Sequence, residues 1–177
     1  MIIQQAPPEW RTTHWFNTPA PLSLAALRGR VVMAVAFQML CPGCVAQGLP
    51  QALRVRETFR EEDVAVIGLH TVFEHHDAMT PISLKAFLHE YRIAFPVGVD
   101  DPDASGPVPK TMRAYELRGT PTTLLFDRAG RLRRHAFGHV PDIQLGSELM
   151  ALVKERDPAL IGEATPASRT CTPDGCS

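Results

Sequence analysis

The chain has 177 residues, of which 45% are hydrophobic and 21% charged, and its formal net charge is −1. This length suits one domain with a substantial core, and the balanced charge argues against nucleic acid as a partner. No stretch approaches the ~20 consecutive apolar residues of a membrane-spanning helix. The first five residues lack the basic and apolar character of a secretory signal. The sequence therefore predicts a cytoplasmic protein, or a periplasmic one if a leader has been removed.

Apolar runs and amphipathic stretches alternate along the chain, which predicts an α/β fold with a central mixed sheet flanked by helices. Residues 1–20 are expected to form an irregular lead-in with an aromatic anchor. Strands are predicted at 31–37, 64–70 and 95–99, and a hairpin at 122–126 and 132–137. Helices are predicted at 44–60, with a kink at Pro50, and at 82–92, 110–117 and 142–156.

The tetrapeptide Cys41-Pro42-Gly43-Cys44 joins the first predicted strand to the first predicted helix. Two thiols three residues apart lie on neighbouring positions of a helical turn. The free N–H groups and the positive dipole end of a helix start stabilise a thiolate, which is the nucleophilic form of cysteine. We therefore predict that Cys41 is the attacking thiolate and Cys44 the resolving thiol. The alternatives are half of a zinc site and plain core cysteines.

A second motif, Gly119-Thr120-Pro121, stands directly before the strand predicted at 122–126. A Thr-Pro step before a β-branched apolar strand is a candidate cis proline, the alternative being an ordinary trans turn proline. The thioredoxin fold resembles this order of elements: a strand, Cys-x-x-Cys, a helix and later Gly-Thr-Pro directly before another strand. Together with segments 15–18 and 21–32, the pattern resembles the TlpA/ResA-type redoxins, over roughly residues 10–153.

This resemblance implies a thioredoxin-like fold and a thiol–disulfide oxidoreductase that needs no cofactor and no metal. Its partner would be a protein or a low-molecular-weight thiol or disulfide, and the direction of electron flow stays open. The resemblance also implies that Pro121 lies opposite the dithiol and that the Thr120 backbone pairs with an extended substrate. Pro42 and Gly43 would complete the substrate-binding surface.

Several positions depart from the family pattern around the dithiol. Leu40 stands where thioredoxins carry tryptophan, Val35 where they carry a buried carboxylate, and Gln47 where ResA-like proteins carry glutamate. The usual proton acceptor for the second cysteine is therefore missing. Gln38 can form hydrogen bonds but cannot accept a proton. His70 ends the neighbouring predicted strand and could point toward the dithiol as an auxiliary residue, or be a structural histidine.

Two other functions remain open from the sequence. A thiol peroxidase of the peroxiredoxin type shares the fold, but its motif needs proline and threonine where Ala34 and Gln38 stand. A thioredoxin-fold protein that binds a soft metal ion through its cysteines is the other alternative. The histidine-rich segment 70–77 fits no standard zinc spacing and is predicted to be a solvated loop. The arginines of segment 128–134 are predicted to lie at the solvated end of the hairpin.

The end of the chain differs in composition from the rest. The domain is predicted to span residues 1–157, followed by a tail at 158–177 that is rich in alanine, proline, threonine and serine. In this tail a Pro-Asp-Gly turn sequence separates Cys171 from Cys176. The tail thiols are incidental, or they form a second dithiol that exchanges with Cys41 and Cys44, or they capture a metal.

Overall fold

The computed structural model describes residues 6–155, which form one mixed sheet with helices packed on it. The strands are β1 (Thr12–Phe16), β2 (Val31–Phe37), β3 (Val64–His70), β4 (Val97–Asp100), β5 (Thr122–Phe126) and β6 (Leu132–Phe137). The helices are α1 (Leu49–Thr58), α2 (Pro81–Glu90), α3 (Lys110–Ala114) and α4 (Asp142–Lys154). A short 3₁₀ turn spans Ala25–Leu27 and a π-helical turn spans Cys44–Gly48. No helix within this part of the chain has the length and apolar character needed to cross a membrane.

The six strands lie in the order β1-β4-β3-β2-β5-β6, so the predicted mixed sheet is confirmed. Strands β2, β3 and β4 run parallel, whereas β1, β5 and β6 are antiparallel to their neighbours. Phe37 at the end of β2 pairs with His70 at the end of β3. Since the carboxyl ends of parallel strands share an edge, the segments after β2 and β3 emerge side by side.

The central strand β2 is buried along its whole length because both faces of the sheet are covered. This explains why its sequence is a continuous apolar run rather than an alternating one. One face of β2, with Val35 and Phe37, packs against residues of α1 and α4. The opposite face packs against Trp10, Leu27, Met112, Tyr115 and Phe126.

The prediction that residues 1–20 form an irregular lead-in is wrong for residues 12–16, which form β1. Residues 12–16 pair antiparallel with β4 and form one edge of the sheet. The predicted aromatic anchor is present: Trp10 is buried, and its ring lies 6.2 Å from that of Phe126 and 6.3 Å from that of Trp15. The segment was missed because a strand of five half-polar residues depends on a partner strand more than eighty residues away.

The active-site helix contains a π-helical turn directly before α1. Its defining bond runs from the Leu49 N–H to the Cys44 carbonyl oxygen, one residue further along the chain than in an α-helix. Pro50 is the second residue of α1, into which the helix continues without a break from the π-helical turn. The irregularity predicted at Pro50 therefore lies before it, in Cys44–Gly48.

The sequence predicted that the arginines of the hairpin turn between β5 and β6 are solvated, but in the structure they also form ion pairs. Asp127 is 3% exposed and accepts hydrogen bonds from the backbone N–H groups of Ala129 and Arg131 and from the side chains of Arg131 and Arg133. Arg128 pairs with Asp63, and Arg134 pairs with Glu148. The arginines of this segment are structural ion-pair partners.

Candidate functional site

The two thiols lie together at the carboxyl edge of the sheet, directly after β2. The Cys44 N–H donates to the Cys41 sulfur at 3.3 Å. Cys44 is fully buried at the start of the π-helical turn, whereas Cys41 is half-buried. A partner in solution can therefore reach Cys41 but not Cys44.

The environment of Cys44 keeps its thiol protonated at neutral pH. Burial raises the pKa of Cys44 to about 12, and the contact with the Cys41 side chain adds to the rise. Hydrogen bonds from the Thr120 side chain and the Gln38 backbone act in the opposite direction without reversing the shift. Because only the thiolate is a strong nucleophile, the protonated Cys44 thiol is a weak nucleophile at neutral pH.

The Thr120–Pro121 loop faces the dithiol, and its peptide bond is cis, as predicted. The Cys41 thiol donates to the Thr120 carbonyl oxygen at 3.4 Å. The Pro121 ring packs so closely on the active-site turn that a Cβ added to Gly43 would lie 3.3 Å from Pro121 Cδ. The structure thus brings together the predicted residues Cys41, Gly43, Cys44, Thr120 and Pro121.

Gly48 is a site residue that the sequence did not reveal. A Cβ added at this position would lie 2.8 Å from Pro121 Cβ, closer than real Cβ atoms approach. The π-helical turn presents Gly48 to Pro121, so only glycine allows this contact without displacement of the proline. A glycine inside a predicted helix was the available signal, since helices otherwise disfavour it.

Gln38, predicted as an auxiliary residue, connects the active-site loop to the segment after β3. Its side chain is buried; Oε1 accepts from the Phe73 N–H at 3.2 Å, and Nε2 donates to Glu74 Oε1 at 3.4 Å. Its carbonyl oxygen accepts from the Cys41 N–H at 3.3 Å. Gln38 therefore positions the backbone before Cys41, while its side chain is turned toward Phe73 and Glu74.

His70, the second predicted auxiliary residue, is not hydrogen-bonded to the dithiol. It is 1% exposed, and its ring lies 5.3 Å from that of Phe37. Within residues 6–155 neither ring nitrogen has a hydrogen-bond partner. Burial lowers the pKa of His70 to about 4, so the imidazole is neutral at physiological pH.

The rest of the histidine-rich segment behaves as predicted for a solvated loop. Residues 74–77, which include His75 and His76, are exposed, whereas His70 and Thr71 are buried at its start. Among the residues that the structure describes, no group of three or more histidine, cysteine, aspartate or glutamate side chains could hold a metal ion. Cys171 and Cys176 lie outside the described residues.

Comparison with known proteins shows the family of the chain. The family model for AhpC/TSA proteins matches residues 4–135. The chain belongs to the AhpC/TSA family. No curated protein matches the sequence significantly.

Solved structures place this AhpC/TSA protein among the thioredoxin-like redoxins. It is 59% identical to a thioredoxin-like superfamily protein, SPOA0173, with a TM-score of 0.84 over 86% of this chain and 99% of the other. It is 48% identical to a thiol-disulfide isomerase from Corynebacterium glutamicum, with a TM-score of 0.83 over 87% and 100% of the two chains. A thioredoxin-like protein of 22% identity, with a TM-score of 0.71 over 89% and 100%, shares the fold. The predicted thioredoxin-like fold and redoxin resemblance are confirmed.

Proposed function

We propose that this protein is a thiol–disulfide oxidoreductase in which Cys41 attacks the partner and Cys44 resolves the mixed disulfide. The observation that carries the proposal is the unequal exposure of two contacting thiols: Cys41 is accessible, and Cys44 is buried with a raised pKa. The similarity to a thiol-disulfide isomerase at 48% identity supports the same reaction class.

The reaction transfers two electrons from the dithiol to a partner disulfide. The Cys41 thiolate attacks one partner sulfur; the partner S–S bond breaks, and the leaving thiolate takes a proton from solvent. Cys44 then gives its proton to solvent and attacks the Cys41 sulfur. The mixed disulfide breaks, the second partner thiol leaves, and a Cys41–Cys44 disulfide forms. The same steps in reverse oxidise a partner dithiol.

The loop at Thr120 is proposed to hold the partner chain. Within the described residues the Thr120 N–H donates to no acceptor, while the Thr120 carbonyl accepts from the Cys41 thiol. An extended segment of the partner can pair with this backbone beside Pro121, with Pro42 and Gly43 on the other side of the sulfur. The partners would be proteins or small thiols and disulfides, and no cofactor takes part.

A thiol peroxidase is the second candidate, because the AhpC/TSA family match favours a test with peroxide. The residue at the position of the peroxidase threonine is Gln38, and its side chain is bound to Phe73 and Glu74. It therefore offers no hydroxyl to orient a peroxide beside Cys41. Disulfide exchange is the better-supported reaction.

The deciding experiment compares single-cysteine variants with a disulfide-bonded peptide and with hydrogen peroxide. Cys44→Ser should accumulate a mixed disulfide with the peptide, seen as a mass increase, whereas Cys41→Ser should not. Both variants are made in a Cys171→Ser/Cys176→Ser background, so that the tail thiols cannot resolve the mixed disulfide. Peroxide consumption faster than peptide reduction would support the peroxidase instead. Stoichiometric metal after purification would favour a metal-binding protein.

A further inference from the structure

An aromatic side chain and an arginine lie exposed beside the loop that faces the dithiol. Phe137, the last residue of β6, is 53% exposed and pairs with Thr122 directly after Pro121. Its ring lies against the backbone of Gly119, where an added Cβ would be 2.9 Å from the ring. The guanidinium carbon of Arg118 lies 6.0 Å from the centroid of the Phe137 ring, a distance typical of a cation–π contact.

Arg118 differs from the other arginines of this part of the sheet because it has no acidic partner in residues 6–155. Arg131 and Arg133 pair with Asp127, and Arg134 pairs with Glu148. The nearby Glu116 forms no ion pair with Arg118. The guanidinium is thus held over the Phe137 ring while its N–H groups remain available to a carboxylate.

A second exposed apolar side chain belongs to the residue directly before Cys41. Leu40, which directly precedes Cys41, is 58% exposed. The Cys41 sulfur lies 3.4 Å from the Thr120 carbonyl oxygen, and Thr120 is the neighbour of Gly119. A partner chain with its sulfur at Cys41 that extends along Gly119 and Thr120 therefore brings its next side chains to Phe137 and Arg118. Exposed apolar side chains grouped at one surface are typical of interaction sites.

We propose that Arg118 and Phe137 select protein partners whose reactive cysteine is flanked by an apolar and an acidic side chain. The apolar side chain packs on the exposed Phe137 ring, and the carboxylate binds the unpaired Arg118. This proposal rests on the proposed thiol–disulfide exchange and names the class of partner for the same site. It makes Arg118 and Phe137 specificity-determining residues that take no part in the transfer of electrons.

The test uses two series of disulfide-bonded peptides. Within a series the peptides differ only in carrying glutamate, glutamine or lysine at one position. That position is two residues before the reactive cysteine in the first series and two residues after it in the second. In one series the kcat/KM for reduction should fall from glutamate to glutamine to lysine, by about threefold a step at low salt. The steps should shrink at high ionic strength because salt screens exposed charges. Equal rates for all three peptides in both series would overturn the proposal.

Variants assign the preference to the two residues. Arg118→Gln should remove the difference between the three peptides, and Arg118→Glu should reverse their order. Phe137→Ala should raise KM about tenfold for every peptide of that series, since it removes the apolar contact at the centre of the surface. A charge preference that survives in Arg118→Gln would show that another residue selects the partner.

A small neutral disulfide, bis(2-hydroxyethyl) disulfide, separates this proposal from the proposed function. It should be reduced at the same rate by the unaltered protein, Arg118→Gln and Phe137→Ala. If it and the peptides both fail to react, the oxidoreductase function is wrong. If it reacts equally well with all three proteins while the peptides show no order by charge, only the selection by Arg118 and Phe137 is wrong.

Discussion

At the edge of the sheet where β2 begins, the buried carboxylate of Asp127 accepts hydrogen bonds from two backbone N–H groups and two arginine side chains. At the edge where β2 ends, the buried imidazole of His70 has no hydrogen-bond partner within residues 6–155. Burial alone would raise the pKa of Asp127, but its bonds to Arg131 and Arg133 outweigh burial and hold the pKa below its usual value. Burial lowers the pKa of His70 and raises the pKa of Cys44, so both side chains are neutral at physiological pH.

The two edges of the sheet thus differ in the state of their buried polar groups, which are charged and hydrogen-bonded at one edge and neutral at the other. The buried Asp127 carboxylate fixes the hairpin turn, because it is the common acceptor of two backbone N–H groups and two arginine side chains. At the opposite edge, the buried side chains of His70 and Cys44 are neutral, and the Cys44 N–H donates to the half-buried Cys41 sulfur. The same contrast holds for arginines: those around Asp127 are paired, whereas Arg118 has no acidic partner within residues 6–155.

The largest expected effect concerns His70 and the pH dependence of stability. A histidine whose pKa falls from 6.5 to about 4 on folding binds fewer protons folded than unfolded between these values. The free energy of unfolding should therefore decrease as the pH falls through this window, by about 3 kcal/mol from this group alone. In His70→Leu that decrease should be absent, as measured by urea unfolding at pH 7 and pH 4.

The comparison between the two proteins isolates His70 from other titrating groups. Burial raises the pKa of Asp100, which contributes a pH dependence of the opposite sign, but Asp100 is present in both proteins and cancels in the difference. Parallel stability curves for the unaltered protein and His70→Leu would show that the imidazole has a partner or is reached by water in the folded state.

The next largest effect should come from Asp127, at the edge of the sheet where β2 begins. Asp127→Ala removes the acceptor of four buried or half-buried donors and should lower the free energy of unfolding by about 2 kcal/mol. Since the arginine partners are partly exposed, water replaces some of the lost bonds. The rate of small-disulfide reduction at 25 °C should stay unchanged, because the turn lies at the far edge from Cys41.

Arg118→Gln is the change to compare with Asp127→Ala, because it removes a charged group at the edge of the sheet where β2 ends. It should leave the free energy of unfolding within about 0.5 kcal/mol of the unaltered protein, because the side chain is exposed and has no acidic partner among the described residues. A loss of stability in Arg118→Gln as large as that in Asp127→Ala would contradict the contrast between the two edges.

A loss of stability no larger than that in Asp127→Ala is expected at Gly48, where the active-site turn meets Pro121. Gly48→Ala places a Cβ 2.8 Å from Pro121 Cβ and should cost about 1–2 kcal/mol. It should also slow disulfide exchange, because the proline must move away from the dithiol. Gly146→Ala in α4 is the matched control: no atom lies within 4 Å of its Cβ, and alanine should stabilise that helix by about 0.5–1 kcal/mol. Equal effects at the two glycines would disprove the close contact.

The smallest effect concerns the tail thiols. We propose that Cys171 and Cys176 exchange electrons with Cys41 and Cys44, because a disulfide closed over so short a loop adds little stability and suits exchange better. A chain truncated after Pro158 should unfold at the same urea concentration and be reduced several-fold more slowly by a dithiol donor. Reduction of the truncated protein at an unchanged rate would make the tail thiols bystanders.

The parts of the molecule that were predicted from sequence are those with local signals. Strand β2 is a continuous apolar run, β3 is nearly so, and β5 is β-branched and apolar. Cys41, Cys44 and Pro121 stand in short motifs with fixed neighbours. Strand β1 and the Phe137 surface depend on tertiary pairing that no local pattern reports. The arginines of segment 128–134 were misread for the same reason, since their pairing with Asp127, Asp63 and Glu148 depends on how the hairpin turn packs.

The central claim is that Cys41 and Cys44 form a redox couple, and a redox titration tests it most directly. Cys171→Ser/Cys176→Ser protein is equilibrated in thiol–disulfide buffers spanning about −320 to −120 mV and then alkylated and weighed by mass spectrometry. The account predicts one two-electron transition, with loss of two alkylation sites and a Cys41–Cys44 crosslink in the oxidised peptide. Two thiols that stay free across the whole range, or oxidation confined to Cys41, would contradict it.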